Sequence, residues 1–134
     1  MGGSSRLKLL LDTHIWIWFL QSPEHLGPAT RRELANPDNE LWVSPISTWE
    51  ALMLQRKGRL RLRTDFLAWL QQSSPGIREA PLTHEIAITS ETLSLPGDPA
   101  DRFIAATAQV LDLTLVTADQ RLLGLGTIRT MANR

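Results

Sequence analysis

Four acidic residues stand in settings that a solvated surface does not explain: Asp12, Glu50, Asp101 and Asp119. Asp12 directly follows the apolar segment Leu7–Leu11, and Asp119 closely follows Thr114–Thr117. Both segments read as short strands. In an open parallel sheet the crevice beyond the strands' carboxyl ends is where ligands bind, so two acids from opposite ends of the chain can become neighbours there. Either one alone would also suit a strand-ending turn or a helix cap. Glu50 falls within the arc of Ile46, Trp49, Met53 and Leu54 when Ile46–Lys57 is wound as a helix at about 100° per residue. A carboxylate in an apolar stripe is costly unless it is paired, protonated or bound to a cation. Lys57, near that face two turns on, is the partner a purely structural pairing would need.

In Asp98-Pro99-Ala100-Asp101 the first residue suits an N-cap, the proline the first helical position and Asp101 the third, where the helix dipole favours an acid. Asp101 also shares a face with Ile104, Ala105, Ala108 and Leu111, whose small members let a helix lie close on a sheet. That face directs Asp101 toward the strand ends and does not favour Asp98 there. Acids converging on one sheet edge repel one another and destabilise the fold without a counter-ion. A hard divalent cation answers that need: Mg²⁺ keeps several waters and is held by a few carboxylates plus substrate phosphate. Such a site can activate water and neutralise charge on a phosphodiester. No His or Cys accompanies the set, so zinc is not indicated.

The elements that must hold these acids alternate between short apolar runs and helices. Strands are expected at Leu7–Leu11, Glu40–Ser44, Ile77–Ala80, Thr114–Thr117 and near Thr127–Arg129. Helices are expected at Thr13–Leu20, from Pro28 to about Asn36, from Ile46 to Lys57 with Gly58 closing, from Thr64 to about Gln72, from Thr83 to about Leu93, and at Pro99–Leu111. Ser22-Pro23 and Gly27-Pro28 punctuate a loop. No strand alternates polar with apolar residues, which argues for an α/β domain whose mainly parallel sheet is buried on both faces.

The 134 residues suit one domain spanning 1–134, with residues 1–6 expected to be a flexible N-terminus, and 43% apolar residues suffice for a core. No segment reads as a membrane span or a signal peptide, and the chain has no cysteine for disulfides or thiolate metal sites, all consistent with a cytoplasmic protein. Fourteen basic and fourteen acidic residues cancel, which gives no general attraction to nucleic acid. Their distribution is uneven, with Arg56, Lys57, Arg59, Arg61 and Arg63 forming a run free of acids.

The segments LLLDTHIWIW around Asp12, SPISTWEALMLQRKGRL around Glu50, LPGDPADRFIAATA around Asp101 and LTLVTADQRL around Asp119 resemble the PIN-domain nucleases, and within them the VapC-type toxins of type II toxin–antitoxin systems. The resemblance spans nearly the whole chain. It implies a PIN-like three-layer fold, a mainly parallel central sheet flanked by helices, and Mg²⁺- or Mn²⁺-dependent cleavage of RNA. By motif match Asp12 and Asp101 would be the principal metal ligands, Glu50 would bind directly or through water, and Asp119 would complete the pocket and help position a second ion or the attacking water. Thr13 and Thr117 would be hydroxyl partners behind those ligands. The family also implies a small antitoxin that blocks the pocket, and commonly a homodimer.

On that resemblance the chain is expected to be an endoribonuclease toxin. A housekeeping PIN nuclease in RNA processing, or a catalytically silent protein-binding module, are the alternatives; the complete acid set argues against the last. Arg56, Lys57 and Arg59 are candidate contacts to RNA phosphates, with a solvated loop or an antitoxin contact as equal readings. Trp16, Trp18, Trp42, Trp49 and Trp69 are expected in the core or at partner interfaces rather than stacked on bases. Trp16 and Trp18 cannot share one helix face. His14, His25 and His84 lack metal-ligand spacing, and His14 is expected at a helix start beside Asp12.

Overall fold

The computed structural model describes residues 6–63, 66, 68 and 76–134. At its centre runs strand β1 (Lys8–Leu11), whose Leu9, Leu10 and Leu11 are fully buried. Successive side chains of a strand point to opposite faces. Leu9 and Leu11 accordingly join Ile15, Trp16, Ile17 and Phe66, while Leu10 joins Ile104, Ala105 and Leu115. A core on each side explains why β1 is apolar without alternation.

β1 is flanked by β2 (Glu40–Val43) and β4 (Thr114–Thr117); β3 (Ile77–Glu79) lies outside β2 and β5 (Thr130–Ala132) outside β4. Every neighbouring pair is parallel, with Leu10 opposite Trp42 on one side and Leu115 on the other. Six helices flank this five-stranded sheet among the described residues: α1 (Thr13–Gln21), α2 (Pro28–Ala35), α3 (Pro45–Arg56), α4 (His84–Ser90), α5 (Pro99–Leu111) and α6 (Gln120–Leu123). No helix among these residues is long and apolar enough to cross a membrane.

Local chemistry sets most of the boundaries. Ser44 caps α3 by accepting from the Ile46 N–H at 3.0 Å, with Pro45 in the first turn. The Thr83 hydroxyl accepts from the Ile86 N–H at 3.2 Å and starts α4. Just beyond α3, Gly58 takes φ +73°, a backbone state glycine adopts without steric cost. α5 ends at Asp112 in the left-handed region, φ 56°, where a short polar side chain is tolerated.

Four elements depart clearly from expectation. The last strand is Thr130–Ala132 rather than Thr127–Arg129, because Thr130 pairs with Leu115 and the Leu115 N–H donates to the Arg129 carbonyl at 2.9 Å. α4 stops at Ser90, where Ser90 Oγ donates to the Ala87 carbonyl at 2.6 Å and competes with the helical ladder. The residues after Asp119 form α6, and a short 3₁₀ turn, Pro23–His25, lies within the expected loop. Of the helix expected over 64–72, Phe66 and Ala68 are helical and the rest lies outside the described residues. The expected flexible N-terminus also lies outside them, apart from Arg6.

The close seat of α5 on the sheet depends on Ala105 and Ala108, both buried beside Leu10 and Leu115. Ala105→Leu is therefore expected to lower unfolding free energy by about 1–3 kcal/mol, since a tightly packed interface must shift to admit three more carbons. Urea denaturation followed by circular dichroism measures this; an unchanged midpoint would show slack in the interface.

Candidate active site

Parallel pairing of β1 with β4 puts their carboxyl ends side by side, and both strands lead directly into acids. The Asp12 N–H continues the ladder, donating to the Val116 carbonyl at 3.0 Å. Its side chain caps α1: Oδ1 accepts from the Thr13 N–H at 2.8 Å, while Oδ2 accepts from the Thr117 hydroxyl at 2.6 Å. Thr117 is itself placed by accepting the Asp119 N–H at 3.0 Å. Asp119 in turn caps α6, accepting from the Arg121 N–H at 2.9 Å. Two strand ends and two helix starts thereby hold one pair of acids.

Glu50 and Asp101 come from the other side. Each is only 8% exposed. Glu50 Oε1 accepts from the Thr13 hydroxyl at 2.5 Å, and Thr13 Oγ1 also lies 3.0 Å from Ser47 Oγ. No ion pair to Glu50 occurs among the described residues. Lys57, the partner that a purely structural pairing would need, is exposed and closes α3 as its C-cap. The packed arc of α3 runs through Ser47, Glu50 and Ala51 and leaves out Trp49, which is 53% exposed and so not in the core.

The four acids line one cleft of ≈ 400 Å³ together with His14, Trp18, Asp98, Ala118 and Arg121. Asp98 and Arg121 were not anticipated there. Asp98 is the N-cap of α5, as its sequence signal indicated, accepting from the Ala100 N–H at 3.0 Å. It also faces Glu50, because a cap residue has extended backbone (φ −61°, ψ 124°) and does not follow the helical period used to place its neighbours. Arg121 folds back along α6, and its Nη2 lies 2.8 Å from both Asp101 Oδ2 and Asp119 Oδ2. The short distance from Asp119 along the chain was the one available signal, and it does not reveal the reach to Asp101.

Crowding shifts the proton affinities. Burial raises Asp12, against the hydroxyl of Thr117 and the Thr13 N–H, which favour its charged form. Burial also pushes Glu50 up to about 7, reinforced by Asp98 and Asp101 and opposed by the Thr13 hydroxyl. Asp101 is pushed up to about 6 by burial and by the charges of Asp12 and Asp98, with Arg121 acting the other way. Asp119 is held below its usual range by hydrogen bonds from Arg121. Three acids here thus resist ionising in the absence of a cation.

Among the described residues no three His, Cys, Asp or Glu side chains form a ready-made metal cage. The donors are all hard carboxylate oxygens, and the raised proton affinities of Asp12, Glu50 and Asp101 mark a site short of positive charge. That chemistry fits an oxygen-preferring divalent ion that completes its shell with water and substrate.

The basic run lies elsewhere. Arg59, Arg61 and Arg63 border a separate cavity of ≈ 920 Å³ floored by Leu52, Leu60, Leu62 and Phe66. Arg56, Lys57 and Arg59 are exposed and do not line the acidic cleft. Trp16 is in the core; Trp18 is half-buried at the cleft, its ring stacked on His25 with centroids 5.3 Å apart. Trp42 lies under the Arg78 guanidinium, and Trp69 is outside the described residues. His14 stands exposed at the cleft, one residue into α1.

The domain is thus three-layered, with an all-parallel sheet ordered β3-β2-β1-β4-β5 and acids beyond its central strand ends. Residues 9–126 match the PIN domain model, and the chain belongs to the PIN-domain family. Within that family it stands with the VapC-type proteins: it is 40% identical over 116 residues to Ribonuclease VapC22 of Mycobacterium tuberculosis, covering 85% of this chain and 88% of that protein. Solved structures share the fold. VapBC2 from Rickettsia felis, bound to a DNA fragment from its promoter, matches with a TM-score of 0.70 at 15% identity, covering 94% of this chain and 98% of that one. DNA-bound VapBC from Salmonella typhimurium matches with a TM-score of 0.68 at 22% identity, over 94% and 98% of the two chains.

Proposed function

We propose that this protein is a divalent-metal-dependent endoribonuclease that hydrolyses RNA phosphodiesters and acts as the toxin of a toxin–antitoxin pair. One observation carries the reading: Asp12, Glu50, Asp101 and Asp119 line a single cleft in a chain 40% identical to a VapC ribonuclease. Water attacks phosphorus, the bond to one bridging oxygen breaks, and that oxygen leaves with a proton. A bound Mg²⁺, or Mn²⁺ in its stead, supplies water activation and charge neutralisation at such a centre. Asp12 and Asp101 are the principal ligands in this reading, Glu50 binds directly or through water, and Asp119 completes the set.

The two threonines orient the acids without adding charge. Thr117 holds Asp12 Oδ2 and Thr13 holds Glu50 Oε1, leaving other lone pairs for a cation. Such partners behind a metal ligand are typically worth 10–100-fold. Thr13→Val is therefore expected to lower RNA cleavage by about 10–100-fold with a smaller effect on folding. Single-turnover cleavage at fixed metal measures it, and undiminished cleavage would remove Thr13 from the site.

Arg56, Lys57 and Arg59, outside the cleft, suit contacts to RNA phosphates flanking the cut or to an acidic antitoxin segment. A cognate small antitoxin and a second copy of this chain are the proposed protein partners. The activity is tested by incubating purified protein with structured RNAs in Mg²⁺, Mn²⁺ or EDTA, and by inducing expression in cells. Cleavage is expected with either metal and not with EDTA, and growth arrest is expected to vanish in Asp101→Asn. Cleavage that survives EDTA would overturn the metal dependence. Arrest that persists in the variant would overturn the toxin assignment.

A further inference from the structure

The Arg121 guanidinium occupies a built dock. Its Nη2 bridges Asp101 Oδ2 and Asp119 Oδ2 at 2.8 Å each, Nε lies 3.3 Å from Asp119 Oδ1, and Nη1 donates to the Pro96 carbonyl at 3.1 Å. Gly97 clears the space: a Cβ built there would stand 2.7 Å from Nη1. Gly97 also has φ +106°, a backbone state L side chains rarely adopt, so the turn that delivers Asp98 to its cap keeps this position open. Loop, glycine and two helix starts thus converge on one cation from the chain itself. Arg121 retains a route out, since its side chain is 48% exposed and stands in the first turn of the short α6.

We propose that Arg121 is the resident counter-ion of the metal-free cleft, competing with the divalent ion for Asp101 and Asp119 so that metal enters by displacing the guanidinium. The inference rests on the metal-binding reading above. A carboxylate oxygen engaged by an N–H at 2.8 Å has less to offer an ion, and a guanidinium beside a divalent cation is repelled. Asp12 and Glu50 differ in kind, because their partners Thr117 and Thr13 are neutral hydroxyls that orient without competing in charge. The Arg121 pairing also keeps the metal-free protein from bearing the full repulsion of its own acids.

The test is calorimetric titration of Mn²⁺ into metal-stripped wild type, Arg121→Gln and Arg121→Lys, with thermal unfolding of each in EDTA and in Mn²⁺. Arg121→Gln is expected to bind Mn²⁺ about two- to fivefold more tightly, the scale of one partly exposed ion pair. Its melting temperature in EDTA should fall while its rise on adding Mn²⁺ grows. Arg121→Lys should fall between, since one ammonium lacks the planar fork that reaches both carboxylates. Equal or weaker Mn²⁺ binding by a folded Arg121→Gln would overturn the competition while leaving the metal site intact. No Mn²⁺ binding by any of the three proteins would sink the metal reading itself, and the competition with it.

Discussion

Asp12→Asn is expected to cut RNA cleavage by about a thousandfold or more, because several kcal/mol of charge stabilisation depend on a fully ionised ligand set. The substitution is nearly isosteric. Its amide oxygen can still accept from the Thr13 N–H, and the Thr117 hydroxyl can turn to accept from the amide nitrogen. Burial makes ionised Asp12 unfavourable, so the variant should melt at or above the wild-type temperature in EDTA. Lost cleavage with undiminished stability is what separates a reactive-site role from a structural one. A variant that cleaves normally would remove Asp12 from the chemistry; one that fails to fold would make its capping of α1 the dominant role.

The second large effect is a reversal of pH dependence by metal. Glu50 moves from 4.5 unfolded to about 7 folded, and Asp101 from 3.8 to about 6, with Asp12 raised as well. Between those values the folded protein binds more protons than the unfolded chain, so stability falls as pH rises. The advantage of the protonated acids is complete below about pH 4 and is lost as pH climbs through about 7. Asp119 has the opposite sign, its contribution being lost only under more acidic conditions, below its usual range. In EDTA the melting temperature is therefore expected to drop by about 5 °C or more from pH 5 to pH 8. With saturating Mn²⁺ the trend should invert, because the ion binds the deprotonated acids and favours them. Scanning calorimetry across that range is decisive. A melting temperature that rises with pH in EDTA would mean that the acids do not crowd one another as their geometry requires.

Both expectations begin with features written along the chain. The apolar run of β1 demands two covered faces, so a three-layer parallel arrangement was legible from its leucines. Asp12 and Asp119 were marked by their position after strands, and the limits of α5 by Pro99 and the cap at Asp98. The spacing of Ile104, Ala105 and Ala108 implied a helix pressed closely against a sheet. These are local signals: period, cap chemistry and backbone restriction operate over a few residues and need no knowledge of what lies across the fold.

Tertiary structure decided the rest. Pairing of β1 with β4 makes neighbours of Asp12 and Thr117, residues from opposite ends of the chain, and no local pattern encodes which strands become adjacent. The same holds for Thr13 reaching Glu50, for Trp49 falling outside the packed arc of α3, and for the last strand taking its place from its pairing with Leu115. Arg121 is the sharpest case. Its sequence neighbour Asp119 accounts for one of its ion pairs, but Asp101 and the Pro96 carbonyl meet it only because α5 and α6 begin on the same sheet edge. Charges act through space, so which acids are neutralised and which remain for a metal is settled when the chain closes on itself.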